Sequence, residues 1–525
     1  MLRRHLPRLS LVVALGAGAL VALLVASGRA RLVSAAPPPE AKAPGKYLGT
    51  KACNGSGCHE RAEPRETPPY LQEYATWSAP PADRRSLVPF DRHSFAYERL
   101  RDDVSAAIMK KLNALEKTEA KAEESGRCLT CHGVAVHDYG VGARNPGLAV
   151  GLEGSLKGPK YVPEEGVSCD GCHGPAEKWK DPHTAKEWAT REWEKRGGAK
   201  DAAAASRKLY DELGIYYSKD LELWAGQCVR CHLTIDTHLI DADHPDLVPF
   251  ELYGQSEAIR VARPEGAAAT AHWRDYADAA PDRADLPGPG KLHAARAWQT
   301  GQAAALHAAA TQLARRAASE AGSPDHNPDA KRRTEHVVAA FERLRGHFVV
   351  FRHALAKLEP ELAKKLEARV LGEKGLASLV AAGKHDEVAK VAAEVAGLLK
   401  KPGEPASLAR RAADAKLAPA DVKATLRAIA NDPEAIDRPR ARQQAALGLH
   451  ALYTAYRRAE PVPDDPVAGY VAAMGGVGDR EPGQVWCWAH PYEAGGEAGA
   501  ACARCGAGLA DWFAEGLREL KAALK

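Results

Sequence analysis

Eight of the eleven cysteines in this 525-residue chain stand in four pairs, and a histidine follows each pair at once. Three pairs read CxxCH: Cys128-Leu-Thr-Cys131-His132, Cys169-Asp-Gly-Cys172-His173 and Cys228-Val-Arg-Cys231-His232. The remaining one, Cys53-Asn-Gly-Ser-Gly-Cys58-His59, has four residues between its cysteines. CxxCH is the attachment signature of c-type haem, in which two thiols add to the porphyrin vinyl groups and the adjacent imidazole binds iron. The short spacer brings both sulfurs to one porphyrin edge while the backbone turns the next imidazole onto the metal. Disulfides and zinc are the competing uses of such pairs. A shuffled chain of this composition shows even one CxxCH only about once in a hundred arrangements, so three point to haem and draw the longer CX4CH with them. Four covalent haems are expected. Their attachments are Cys53, Cys58, Cys128, Cys131, Cys169, Cys172, Cys228 and Cys231, and their proximal ligands are His59, His132, His173 and His232.

Each iron takes a sixth ligand, usually His or Met, or stays open. Methionine occurs only at positions 1, 109 and 474, whereas sixteen of the 20 histidines lie outside the motifs. Bis-histidine ligation is therefore expected, with lower reduction potentials than His/Met ligation gives. The candidates in the same segment are His93, His137, His183, His238, His244 and His272.

Four stretches resemble the multihaem cytochromes of the cytochrome c-554 family, tetrahaem electron acceptors of the hydroxylamine oxidoreductase type. They are Lys46-Tyr-Leu-Gly-Thr-Lys-Ala-Cys-Asn-Gly-Ser-Gly-Cys-His59, Asp91-Arg-His-Ser-Phe-Ala-Tyr97, Glu165-Gly-Val-Ser-Cys-Asp-Gly-Cys-His-Gly-Pro-Ala-Glu-Lys-Trp179 with His183, and Asp236-Thr-His-Leu-Ile-Asp-Ala-Asp-His-Pro-Asp-Leu247. The resemblance covers about residues 45 to 275, with a weaker echo at Ala297-Trp298-Gln299-Thr300-Gly301-Gln302. It implies that His93, His183 and His244 are distal ligands, with His238 a further candidate in the same stretch. It also implies one five-coordinate iron at the second motif, here Cys128, Cys131 and His132. His137 lies only five residues beyond His132, too short a span to round the porphyrin edge and reach its other face. His137 departs from the family pattern, and the chain lacks the fifth CxxCH of many longer relatives.

The expected fold is mainly α: a loop-rich, haem-packed tetrahaem domain over 45–280 and an α-helical domain over 291–460. Trp77, Tyr161, Trp179 and Trp224 pack either on haem or in ordinary core. Asp282 to Gly290, with Pro287-Gly-Pro-Gly290, breaks the chain. Beyond it, Val337, Phe341, Leu344, Phe348, Phe351, Leu355 and Leu358 step by three and four residues, the stripe of one long amphipathic helix. Ala-rich runs at 292–318, 386–400 and 441–458 predict further helices, with stops at Pro402 and Asn431-Asp-Pro433. His336 and His347 share a face of the long helix and are read as solvated or core residues. The tail, 461–525, holds Cys487, His490, Cys502 and Cys505, whose spacing suits a tetrahedral zinc site or, alternatively, a disulfide with one spare thiol.

Arg3, Arg4 and Arg8 precede an apolar run from Leu9 to Ala26, and Ser34, Ala35 and Ala36 precede Pro37-Pro38-Pro39. Residues 1–36 thus read as a secretory signal or, equally, an uncleaved anchor giving membrane association, with 37–44 a linker. Either places the body in the periplasm or another extracytoplasmic space. The net charge of +4 includes five arginines of that leader, so nothing suggests a nucleic-acid partner. The expected partners are electron-donor and electron-acceptor redox proteins, and electron transfer is the expected activity. Two rivals stand beside it: a haem enzyme acting on a small nitrogen or sulfur compound at one open iron, and a haem-bearing docking subunit of a respiratory complex.

Overall fold

Proline sets the rhythm of the second half. Its fixed φ and missing N–H suit the first helical position, and four helices begin on it, at Pro360, Pro419, Pro433 and Pro439. The structure, a computed structural model, describes residues 46–56, 58–60, 74, 77, 92–116, 118–133, 163–184, 212–216, 220–235, 237–245, 247, 250–253, 292–318, 330–462, 465–475 and 503–525. All of them lie in one compact unit, Gly45–Lys525. Among the described residues the fold is mainly helical and contains no strand.

The motif-bearing segment is built from short pieces. After 3-10 turns at Thr50–Ala52, Arg92–Phe95 and Tyr97–Arg101 come α1 (Asp103–Glu116) and α2 (Gly126–His132). Then follow α3 (Cys169–His173), α4 (Lys180–Thr184), α5 (Leu221–His232) and α6 (Thr237–Asp241). Beyond residue 290 the elements lengthen. They are α7 (His293–Ala318), α8 (Ala330–Leu358), α9 (Pro360–Val370), α10 (Leu376–Ala381), α11 (His385–Leu399) and α12 (Leu408–Ala413). The remainder are α13 (Pro419–Ala430), α14 (Pro433–Ile436), α15 (Pro439–Ala459), α16 (Ala468–Gly475) and α17 (Ala503–Ala523).

The stepped stripe of the sequence lies on α8, where Val337, Phe341, Leu344, Phe348, Phe351 and Leu355 are buried and Leu358 is partly so. Ala-rich α7 is buried along nearly its whole length and packs against α5, α8, α11, α12 and α15. Small side chains permit such contact on several faces, because they let neighbouring backbones approach. The apolar core is continuous from Leu221 on α5, through Phe250 and Leu252, to Leu524 after α17. The break at Pro287-Gly-Pro-Gly290 therefore does not part the core.

A polar knot fastens the motif-bearing α5 to the bundle. Asp220 caps α5 by accepting from the amides of Glu222 and Leu223 (3.1 and 3.2 Å). Arg410 on α12 donates to Asp220 Oδ2 and Glu222 Oε2, each at 2.7 Å. The Gly403 amide (2.7 Å) and the Ser407 hydroxyl donate to Glu222 Oε1. Burial works against the guanidinium charge, but Asp220 and Glu222 outweigh it and hold Arg410 above its ordinary pKa.

Candidate functional site

Each CxxCH ends a helix, so its histidine falls in the last turn: His132 closes α2, His173 closes α3 and His232 closes α5. The CX4CH sequence reaches the same end by another route. Cys53 caps the Thr50–Ala52 turn, the Cys58 amide donates to Gly55 O (2.7 Å), and the His59 amide returns to Cys53 O (3.2 Å). The longer spacer is thus folded back on itself. All eight motif cysteines are free of disulfides.

Three motif histidines meet a histidine from elsewhere in the chain. His59 and His183 face one another with ring centres 6.3 Å apart and planes 8° from parallel. His232 meets His93 at 5.9 Å and 78°, and His132 meets His244 at 6.4 Å and 64°. Two metal–imidazole bonds of about 2 Å, plus roughly 1 Å from each nitrogen to its ring centre, would set two axial rings about 6 Å apart. The three measured separations lie in that range.

The second ring nitrogens are fixed as such ligands require. His132 Nδ1 lies 2.9 Å from Ala96 O, His244 Nδ1 lies 2.8 Å from Pro245 O, and His183 Nδ1 bonds Lys180 O. A carbonyl only accepts, so Nδ1 carries the proton in all three and Nε2 is left to bind a metal. Burial pulls His232 down to about 4 and holds His132 and His183 below the usual histidine range. All three are neutral at neutral pH, the form that coordinates.

The resemblance implied an open second motif, yet His244 is the ring that meets His132. Asp243, at φ 67°, turns the chain after α6, and the His244 amide bonds back to Leu239 O (2.8 Å), which swings the ring toward α2. His238 sits in α6 itself, where its carbonyl accepts from Ala242 N. The fourth motif takes its partner from His93, far back in the sequence. The ring of His173 packs on Trp224 of α5, with centres 5.5 Å apart and planes at 39°. Trp179 stands edge-on to His183 at 5.3 Å.

The motifs also touch one another. The Cys169 thiol lies beside Cys53, and the Cys131 thiol beside Cys231, whose Sγ donates to Thr130 O at 3.6 Å; the neighbouring thiol and burial push Cys131 well above its ordinary pKa. Gln227 of α5 donates to Gly171 O in α3 at 2.6 Å. The order of adjacency is thus first, third, fourth, second. Position-setting residues outside the motifs carried little sequence signal. Gly166, at φ 64°, lies so close to His93 O that a Cβ there would collide with it, and Val167 N donates to that same carbonyl (2.8 Å). The lead into the third motif thereby anchors the His93 backbone.

Among the described residues there is no group of three or more His, Cys, Asp and Glu that could hold a metal ion. A haem iron asks only one or two side chains of the protein. His137, His272, Tyr161, Cys487, His490 and Cys502 lie outside the described residues. Cys505 falls within α17, but its side chain also lies outside the description. The leader lies outside it too, and among the described residues no helix is long and apolar enough to cross a membrane. Comparison with family models, with characterised proteins and with solved structures returned no match.

Proposed function

We propose that the chain is an exported tetrahaem c-type cytochrome that carries electrons between a donor and an acceptor redox protein outside the cytoplasm. The observation behind this reading is the set of three histidine pairs at 5.9–6.4 Å, each joining a motif histidine to one of the distal candidates. Haem bound at these motifs supplies one-electron iron chemistry. The chain's own residues hold it: two cysteines per group fix its edge, and His59 with His183, His232 with His93, and His132 with His244 clamp three of the irons.

Closed, bis-histidine irons suit electron transfer and leave no place for a substrate at those three positions. The contacts between motifs favour a relay. Cys53 beside Cys169, Gln227 on Gly171 and Cys131 beside Cys231 link neighbours into one line, so an electron entering at either end passes between adjacent groups.

Intact mass and the pyridine haemochrome of the purified protein should give four haems, and low-temperature paramagnetic spectra should contain at least three low-spin bis-histidine centres. His244→Met should convert one of them to a His/Met centre of higher potential while the other three stay in place. A protein with no covalent haem would overturn the reading.

A further inference from the structure

The carboxyl of Asp170, inside the third motif between Cys169 and Gly171, is fully buried. Its Oδ2 accepts the amides of Leu48 and Gly49, the latter at 3.1 Å. Its Oδ1 has no hydrogen-bond partner, and neither does the buried Oγ of Ser168, Oγ1 of Thr50 or Oε1 of Gln227. Four orphaned polar atoms thus lie on the residues that build and embrace one motif. Buried polar atoms are ordinarily satisfied, and a carboxylate left half-satisfied is costly in its charged form.

The charges around it do not relieve that cost. Glu165, held by the Thr50 amide at 2.9 Å, is a second carboxylate and acts in the same direction as burial. Lys46 on the packed N-terminal segment is engaged by Glu177 at 3.8 Å, and Lys51 is exposed. Glu164 pairs with Arg101 at 3.2 Å, and Glu222 on α5 is held by Arg410. His173 ends the same short helix, and His93 stands behind Gly166. Burial carries Asp170 up to about 7, against the pull of its two amide bonds.

We propose, building on the tetrahaem reading, that Asp170 binds a proton when the haem of the third motif is reduced and releases it on oxidation. An electron from the donor protein converts ferric to ferrous iron, and a proton from water forms an O–H bond at Oδ1, turning carboxylate to carboxylic acid. Charge added at the haem is cancelled by the proton, so the pair moves through a low-dielectric site without net change. The third motif is thereby the proton-coupled step of an otherwise pH-indifferent relay.

Redox titration of the holoprotein at a series of pH values tests this. One of the four transitions should fall as pH rises through neutrality, approaching the tenfold equivalent of a one-electron couple, about 59 mV per pH unit. Asp170→Asn, whose amide oxygen can still accept from Leu48 and Gly49, should abolish that slope. Reduced-minus-oxidised infrared spectra should show a protonated carboxyl band in the wild type that is absent from D170N. Glu165→Gln should keep the slope and move its window to lower pH. A wild type with four pH-independent transitions, or a D170N slope equal to that of the wild type, overturns the proposal while the haem count and spectra leave the tetrahaem reading intact. Fewer than four haems would instead count against that reading.

Discussion

The motif-bearing segment and the helical segment beyond residue 290 use histidine in opposite ways. In the first, His59, His132 and His232 each face a second ring across about 6 Å, in the range of two metal–imidazole bonds on a shared ion. In the second, His347 and His450 are buried singly. His347 has one bond, Nδ1 to Gln302 Oε1 at 2.9 Å, and no hydrogen-bond partner at Nε2. The cores differ in the same sense. Apart from α5 and the 250–253 stretch, which join the bundle, the described residues of the motif segment form two small apolar clusters, one around Leu112, Met109 and Leu239 and one around Trp179 and Ile215. The bundle is filled by its own leucines, phenylalanines and alanines. On the tetrahaem reading, covalent haems add the bulk that the described side chains of the first region do not provide.

The largest effect should come from denying the first region those groups. Replacing the eight motif cysteines by serine should leave residues 46–247 open to proteolysis and rapid amide exchange, while α8 to α15 keep their protection. Equal loss of protection in both regions would mean that the two do not differ in what holds them together. Within the bundle, Phe348→Ala removes a fully buried ring from a core of chain alone and should cost about 4 kcal/mol in chemical denaturation. At the junction, Arg410→Met leaves Asp220 and Glu222 buried without their cation and should cost about 3 kcal/mol. Arg410→Met should also loosen α5, which on the tetrahaem reading would change the spectrum of the centre that ends on His232.

The sequence made the periodic and the local parts legible. The apolar steps from Val337 to Leu355 specify α8, and each CxxCH marks where a helix ends on its histidine. What it hid is what depends on the chain's return. His93 pairs with His232 and His244 with His132 across more than a hundred residues, and nothing in a local spacing says which of several histidines will cross. The resemblance counted His244 among the distal ligands of the other motifs and left His132 open, whereas the turn at Asp243 swings the His244 ring to His132 at the end of α2. Asp170 was equally hidden, because a carboxylate in a motif looks solvated until the Leu48 and Gly49 amides are seen bonded to it.

The smallest expected effect is also the one that separates the two histidine populations most directly. Burial, with a further push from the Arg343 charge, pulls His347 down to about 3, and burial alone pulls His450 down to about 4. Above the ordinary histidine pKa of about 6.5, both rings are neutral whether the chain is folded or not, and they add no pH dependence. As pH falls below that value the unfolded chain binds protons that the folded bundle refuses, so stability is lost with acidification until each folded-state pKa is reached. Each such histidine should contribute a slope of up to about 1.4 kcal/mol per pH unit in that window. His450→Leu keeps an apolar side chain in the site and removes one titrating group, so denaturation curves at stepped pH should show the slope between about pH 6 and 4.5 reduced by one proton. On the tetrahaem reading the paired histidines of the motif segment should add little to this slope, because coordination would hold them neutral while the metal stays bound. An unchanged slope in H450L would mean that acid sensitivity arises elsewhere and that the bundle's buried rings are not what distinguishes it from the motif-bearing segment.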